Sequence, residues 1–166
     1  MKRTITILLA AVFSVGLCFA ESWPDGSKMD KWFTSGPEKI KGQQAKRYVI
    51  TDYGVVKDST VLQTTAIQKI IDMVSEKGGG TIVVPEGTFL TSSIFFKSGT
   101  HLYLEKGAVL KGSDDVSDYH IVPVHIEGVI QNYIAALVNA YDVDGFSIRG
   151  EGVIDGNGLR YWRDFW

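Results

Sequence analysis

Cysteine is all but missing: Cys18 is the only one, and it sits in an apolar N-terminal stretch. A lone thiol builds no disulfide framework and no Cys-x-x-Cys metal clip. Proline is scarce too, with four in 166 residues, which excludes a proline-rich rod or linker. Neither sign of charge dominates, since 17 Lys and Arg face 19 Asp and Glu. A nucleic-acid partner calls for a basic surplus or stripe, and there is none. Charged residues reach only 22% against 45% apolar ones, so the chain is not a disordered tail. What is abundant is glycine, 18 residues, beside 11% aromatics. That mixture favours a turn-rich β protein over a helical bundle.

The first twenty residues stand apart. Lys2 and Arg3 form a basic start, Ile5 to Phe19 is an apolar run without charge, and Cys18 and Ala20 are small residues ahead of Glu21. This is the pattern of a secretory signal peptide over residues 1–20, with cleavage expected between Ala20 and Glu21. The run is shorter than the roughly 20 residues that span a bilayer comfortably. Leu17 before Cys18 ranks a lipoprotein site lower. Cleavage removes the only cysteine and leaves a formal charge of −4. The expected location is periplasmic or extracellular, with no membrane association after cleavage.

Residues 21–47 read as an irregular lead-in, punctuated by Pro24-Asp25-Gly26, Gly36-Pro37 and Gly42, whose Trp23, Trp32 and Phe33 pack onto the body. Tyr48 to Asp52 reads as a short strand. Residues 60–76 carry the one convincing amphipathic helix, with Leu62, Ala66, Ile67, Ile70, Ile71 and Val74 on one face. Asp58 and Ser59 stand where an N-cap is wanted, and Gly78-Gly79-Gly80 stops the helix. Strand patterns then start near 81, 88, 94, 101 and 108, separated by tight corners such as Pro85-Glu86-Gly87 and Ser98-Gly99. Residues 113–132 read as irregular, and strands return at Ile134 to Val138, Phe146 to Ile148 and Gly152 to Asp155. Even spacing suits a solenoid of short strands. Periodicity alone does not separate that from a sandwich of hairpins, although no Asn-Gly or Asp-Gly pair lies between the strands at 81–112. A helix ahead of the first coil would cover a solenoid's open end.

The order of several short stretches is more specific than any one of them. They are Asp52-Tyr53-Gly54-Val55, Thr65 to Asp72, Gly78 to Phe89, Ser98-Gly99, Leu102 to Leu110 with Gly112-Ser113, and Gly150 to Gly158 ahead of Tyr161-Trp162. In these stretches residues 48–166 resemble the N-terminal part of family 28 glycoside hydrolases, the polygalacturonase-like enzymes that cut pectin. The resemblance implies a right-handed parallel β-helix with an N-terminal capping helix, truncated at its C-terminal end. It implies inverting hydrolysis of galacturonosyl linkages in a pectin-type polysaccharide, with no cofactor, no metal and a monomer as the default. The family's catalytic aspartates lie in an Asn-Thr-Asp motif and an Asp-Asp pair, assisted by His-Gly and Arg-x-Lys motifs, all beyond the Ile-Asp-Gly run. None of these can be placed here, so no catalytic residue is assigned. The fragment alone is expected to be inactive. A non-catalytic β-helix remnant and a polysaccharide lyase of related fold are the alternatives.

Asp114-Asp115 mimics the family doublet but precedes that run, so it reads as charged loop. Asp155 reads as a turn-fixing residue. Asp142 and Asp144 flank a turn and lack the further oxygen ligands of a calcium site. His101 alternates with leucines and is expected to face outward. His120 and His125 have a spacing that suits no shared face, which argues against zinc. Gly78 to Gly80 lacks the Lys-Ser/Thr of a phosphate loop. Gly150, Gly152, Gly156 and Gly158 miss the dinucleotide spacing, are expected to have no helix after them, and read as coil corners. Tyr161 and Trp162 are the candidates for stacking on sugar, with packing against the solenoid flank as their ordinary role; Trp166 ends the chain.

Overall fold

The computed structural model describes residues 22–34 and 46–166. The expected leader and its Ala20–Glu21 cleavage point lie outside them. Residues 22–34 form a small unit of their own. Ser22 and Lys28 make an antiparallel bridge, Asp25 accepts bonds from the Ser27 amide and hydroxyl, and a one-turn helix α1 follows (Lys31–Thr34). Trp23 meets Phe33 edge to face at 4.9 Å.

The rest is built from coils. Strand β1 (Arg47–Val49) is shorter than the expected 48–52, because Ile50–Tyr53 closes into a 3-10 turn ended by Gly54. Helix α2 (Thr64–Glu76) precedes β2 (Gly80–Val84), β3 (Gly87–Thr91) and β4 (Ile94–Phe96), which form one coil. Strands β5 (Thr100–Leu104) and β6 (Ala108–Gly112) begin the next. An inserted hairpin, β7 (Ile121–Ile126) and β8 (Val129–Ile134), interrupts it before β9 (Val138–Ala140). A third coil holds β10 (Ile148–Gly150) and β11 (Val153–Asp155), and helix α3 (Leu159–Phe165) ends the chain.

Coil strands stack in parallel in three sheets, β1-β2-β5-β10, β3-β6-β11 and β4-β9. The antiparallel sandwich is thereby excluded; the molecule is a parallel β-helix. Register places like residues one above another: Ile82 on Leu102 on Ile148, and Phe89 on Leu110 on Ile154. Ile82, Leu102, Phe89 and Leu110 of these columns fill the core together with Ile94, Phe96 and Leu104, while Ile148 and Ile154 on the third coil are exposed. Each fully buried side chain of this size contributes roughly 1.5–3 kcal/mol.

Helix α2 closes one end of that core with Ile67, Ile70, Ile71 and Val74. It starts four residues later than the sequence pattern implies. Asp58 caps the Thr60 turn instead, accepting from its amide and hydroxyl at 2.7 Å each. Leu62 consequently leaves the helix face and is 42% exposed. The stop is as expected: the Gly78 and Gly79 amides close back on Ser75 and Val74 carbonyls.

The three strands nearest the helix would each present an unpaired edge. Each edge is satisfied differently. β1 pairs with β2. β3 is met by a bridge between Leu62 and Leu90, with the Gln63 amide donating to the Leu90 carbonyl. β4 has no strand on that side among the described residues and is bonded by the side chain of Gln68.

The stretch expected to be irregular is so only through residue 120. Beyond it β7 and β8 pair antiparallel around Glu127-Gly128, both with positive φ, the backbone of a tight two-residue hairpin. Apolar side chains occupy both faces of this hairpin, so strict alternation is missing from its sequence. The strands expected at Ile134 to Val138 and Phe146 to Ile148 also shift, to β9 and β10, because Ile134 closes the hairpin and Ser147 precedes the strand.

Candidate functional site

The outer face of the β4-β9 sheet gathers the most chemistry. Three side chains of α2 and β9 fix it. Thr64 Oγ1 accepts from the Ser92 amide at 2.7 Å. Gln68 accepts from the Phe95 amide at 2.8 Å and donates to the Phe95 carbonyl at 2.9 Å. Buried Asn139 donates to the carbonyls of Ile94 and Ala136. Held by this frame, the half-buried Phe95 ring lies near-parallel to Tyr141, centroids 6.2 Å apart. His120 meets the same ring edge-on at 5.5 Å.

Beside Phe95 a groove of about 290 Å³ runs along α2, with Lys69, Asp72 and His120 in its wall. Asp72 is paired with Lys97 at 2.8 Å and takes a bond from Gln68 at 3.0 Å. Burial opposes its ionisation, but the bonds from Lys97 and Gln68 and the Lys97 charge together hold its carboxyl below the usual range. Among the described residues Lys69 joins no ion pair. A second groove, about 490 Å³ and largely apolar, lies on the other flank of α2 between Tyr53, Leu62 and Met73.

His101 is not an outward, open residue. It is 3% exposed, stacked between Thr81 and Ser147 in successive coils, with its Nδ1 3.2 Å from the Ser147 hydroxyl. Alternation correctly put it opposite the core face, but neighbouring coils cover that face as well. Burial, with Arg149 nearby, pushes its pKa below the ordinary 6.5.

The acidic loop after β6 is structural. Asp115 caps the 3-10 turn at Val116–Asp118, accepting from the Ser117 amide and hydroxyl, and the Ser117 bonds hold its carboxyl low. The Ser113 hydroxyl bonds Asp118, and the Tyr119 hydroxyl donates to the Ser113 carbonyl at 3.0 Å. Burial foremost, with Tyr161 and the acidic neighbours, pushes Tyr119 up to about 12. Asp155 accepts from the Asn157 amide at 2.9 Å, the turn role its corner implies. No group of three or more His, Cys, Asp or Glu among the described residues is placed to hold a metal, and His120 and His125 belong to different surroundings.

The glycine run splits in two. A Cβ on Gly150 would sit 1.8 Å from the Leu104 carbonyl oxygen and one on Gly152 2.6 Å from Leu104 Cβ, whereas Gly156 and Gly158 have open space. A short helix does follow the run, contrary to expectation, because Leu159–Phe165 turns helical after Gly158. Tyr161 on that helix is half-buried, and burial foremost raises its pKa, with Tyr133 of β8 and Asp115 adding to it. Trp162 does not pack on the flank: it is 63% exposed, and Trp166 is 89% exposed. The Phe95–Tyr141–His120 group escaped the sequence reading, since its members are 46 residues apart in the chain and meet only through the β4–β9 register.

These features define a helix-capped parallel β-helix with an aromatic and polar groove on one outer sheet. The profile of the family described as rhamnogalacturonase A/epimerase, pectate lyase-like, matches residues 47–158, and the chain belongs to that family, as a polygalacturonase-like member. It is similar to an exo-poly-alpha-D-galacturonosidase of Dickeya chrysanthemi, 40% identical over 119 residues, covering 67% of this chain and 19% of that protein. A probable polygalacturonase of Vitis vinifera is 31% identical over 125 residues, covering 70% of this chain and 26% of the relative. The hyperthermoactive exopolygalacturonase of Thermotoga maritima matches in structure with a TM-score of 0.63 at 30% identity, over 70% of this chain and 27% of the other. The chain thus spans about a fifth to a quarter of the length of these curated relatives. Among the described residues no helix is long and apolar enough to cross a membrane.

Proposed function

We propose that the chain forms the N-terminal, helix-capped coils of an exported glycosidase that hydrolyses galacturonosyl linkages in pectin-type polysaccharide. The observation that carries this reading is the 40% identity to the Dickeya exo-poly-alpha-D-galacturonosidase, which runs through the coils rather than one motif. Export rests on the basic start, apolar run and small-residue site of residues 1–20.

Inverting hydrolysis takes an acid to protonate the leaving oxygen and a carboxylate base to activate water, roughly 6.5–9.5 Å apart. A general acid of this kind needs a raised pKa. Asp25, Asp58, Asp72 and Asp115 are instead all held below the ordinary range. Asp155 is committed to its turn and Glu105 to Arg47 at 3.2 Å. The contribution of these coils is therefore scaffold: the cap, the core and an outer sheet on which a polysaccharide can lie.

The test is reducing-end release from polygalacturonate by the 166-residue chain and by a version extended in frame to the next stop codon. Activity confined to the extended form supports the reading, and robust activity of the short form overturns the scaffold role. Unsaturated uronate products would show lyase chemistry instead. N-terminal sequencing of exported protein should begin at Glu21.

A further inference from the structure

We infer that the groove between α2 and the outer face of β4-β9 is a sugar-binding subsite for one uronate residue of an acidic polysaccharide. The inference rests on the functional reading above and adds a place and a set of contacts to it. A pyranose ring binds through an apolar C–H face and a rim of hydroxyls, and aromatic faces suit the first. Phe95, in the groove wall, supplies that surface, and the 55% exposed Tyr141 ring is stacked beside it at the groove's edge, 27° from parallel. The groove volume of about 290 Å³ is at the small end of ligand sites, which run from roughly 300 Å³ upward; that fits one sugar rather than a chain.

The rim chemistry selects the class of sugar. Asp72 is neutralised by Lys97 at 2.8 Å, and its bonds from Lys97 and Gln68 both go to Oδ1, so Oδ2 is left to accept from a hydroxyl. Lys69 stands in the same wall with no ion pair among the described residues. The groove therefore carries one ammonium in excess of its carboxylate, which favours an anionic ligand over a neutral one. His120, exposed and edge-on to Phe95, offers a further ring nitrogen to a hydroxyl. The platform itself is preorganised, because Gln68 holds Phe95 through both of its backbone polar groups.

The experiment is isothermal titration of the full chain with de-esterified tetragalacturonate and with a neutral galactose oligomer of the same length. The acidic oligomer should bind and weaken with added salt; the neutral one should bind several-fold less tightly. Tyr141→Ala should raise Kd roughly 2- to 10-fold and Lys69→Gln about 2- to 5-fold. Both residues are exposed, so circular dichroism and melting should be unchanged. Trp162→Ala, which removes an exposed aromatic group elsewhere, should leave Kd as it was. Equal binding of the two oligomers, or loss with Trp162→Ala but not with Tyr141→Ala, overturns the subsite. So does an absence of binding by the unaltered chain, and in that case the reducing-end assay still judges the functional reading independently.

Discussion

Gln68 binds Phe95 as a neighbouring strand would: its Oε1 accepts from the Phe95 amide at 2.8 Å and its Nε2 donates to the Phe95 carbonyl at 2.9 Å. One side chain on the capping helix thus meets both backbone polar groups of Phe95 in β4, whose only strand partner among the described residues, β9, lies on the other side. Gln63 does the same locally for Val56, with bonds of 2.7 and 2.8 Å. A side-chain amide presents an N–H and a carbonyl oxygen side by side, which suits it to ending a parallel sheet.

Gln68→Leu keeps much of the volume but leaves two backbone groups of Phe95 without partners. Unmet buried groups cost about 1–3 kcal/mol, so urea unfolding should show a loss of that order with an unchanged m-value. Gln68→Glu should cost at least as much at neutral pH. It retains an acceptor for the Phe95 amide but sets a negative charge against the Phe95 carbonyl and Asp72. A stability equal to the parent for Gln68→Leu would mean that water replaces the side chain without cost.

His101 links stability to pH. Burial lowers its folded-state pKa beneath the ordinary 6.5, so the unfolded chain binds the proton first as pH falls. The contribution of neutral His101 is fully present above pH 6.5. It declines as pH drops below that value and levels off once the folded form also protonates. His101→Gln should flatten this limb of the stability profile, read as the difference between parent and variant melts from neutral to mildly acidic pH. Parallel profiles would refute the burial argument.

Gly150 faces a steric limit that Gly156 does not. Its φ is +111°, and an added Cβ would lie 1.8 Å from the Leu104 carbonyl oxygen, within the register that pairs Gly150 with Leu104. Gly150→Ala should destabilise by more than about 2 kcal/mol, as overpacking combined with a disfavoured φ does. Gly156→Ala, with nothing within 4 Å of the new carbon, should stay within about 0.5 kcal/mol. Thermal melts of the two variants check the contrast, and similar losses in both would show that β10 gives way without penalty.

The coils were legible because parallel strands buried on their inner face repeat at short, even intervals, so the five strands from Gly80 to Gly112 sit within a residue or two of expectation. Leu104 and Leu110 point inward as their alternation implies. The hairpin was not legible, since Ile121, Ile130 and Tyr133 remain exposed and neither of its faces reads as polar. His101 misled for a related reason: period-2 alternation reports two faces of a strand but not whether the outer one is covered. The groove was invisible for want of locality. Asp72, Phe95 and His120 in its wall come from three separate elements or loops, and only the stacking of coils brings them together. Trp162, conspicuous in sequence, is merely exposed.

The capping role of α2 can be tested by moving one charge across its surface. Ile70 is buried against the coil end and Leu62, one residue before the Gln63 cap, is not. A carboxylate at position 70, which is 4% exposed, would be largely withdrawn from water, and burying a charge costs several kcal/mol. Whole-domain stability is only about 5–15 kcal/mol, so Ile70→Asp should detach the cap and open the β4 edge that Gln68 protects. Leu62→Asp keeps its charge in solvent, and the backbone bridge to Leu90 does not depend on the side chain. It should cost less than about 1 kcal/mol. The sequence pattern ranks these two positions alike, as members of one apolar face, whereas the structure separates them. Amide exchange at Phe95 reads the difference directly: protection should be lost in Ile70→Asp and kept in Leu62→Asp. Equal protection in the two variants would place the start of the helix before Leu62 and return that residue to the core.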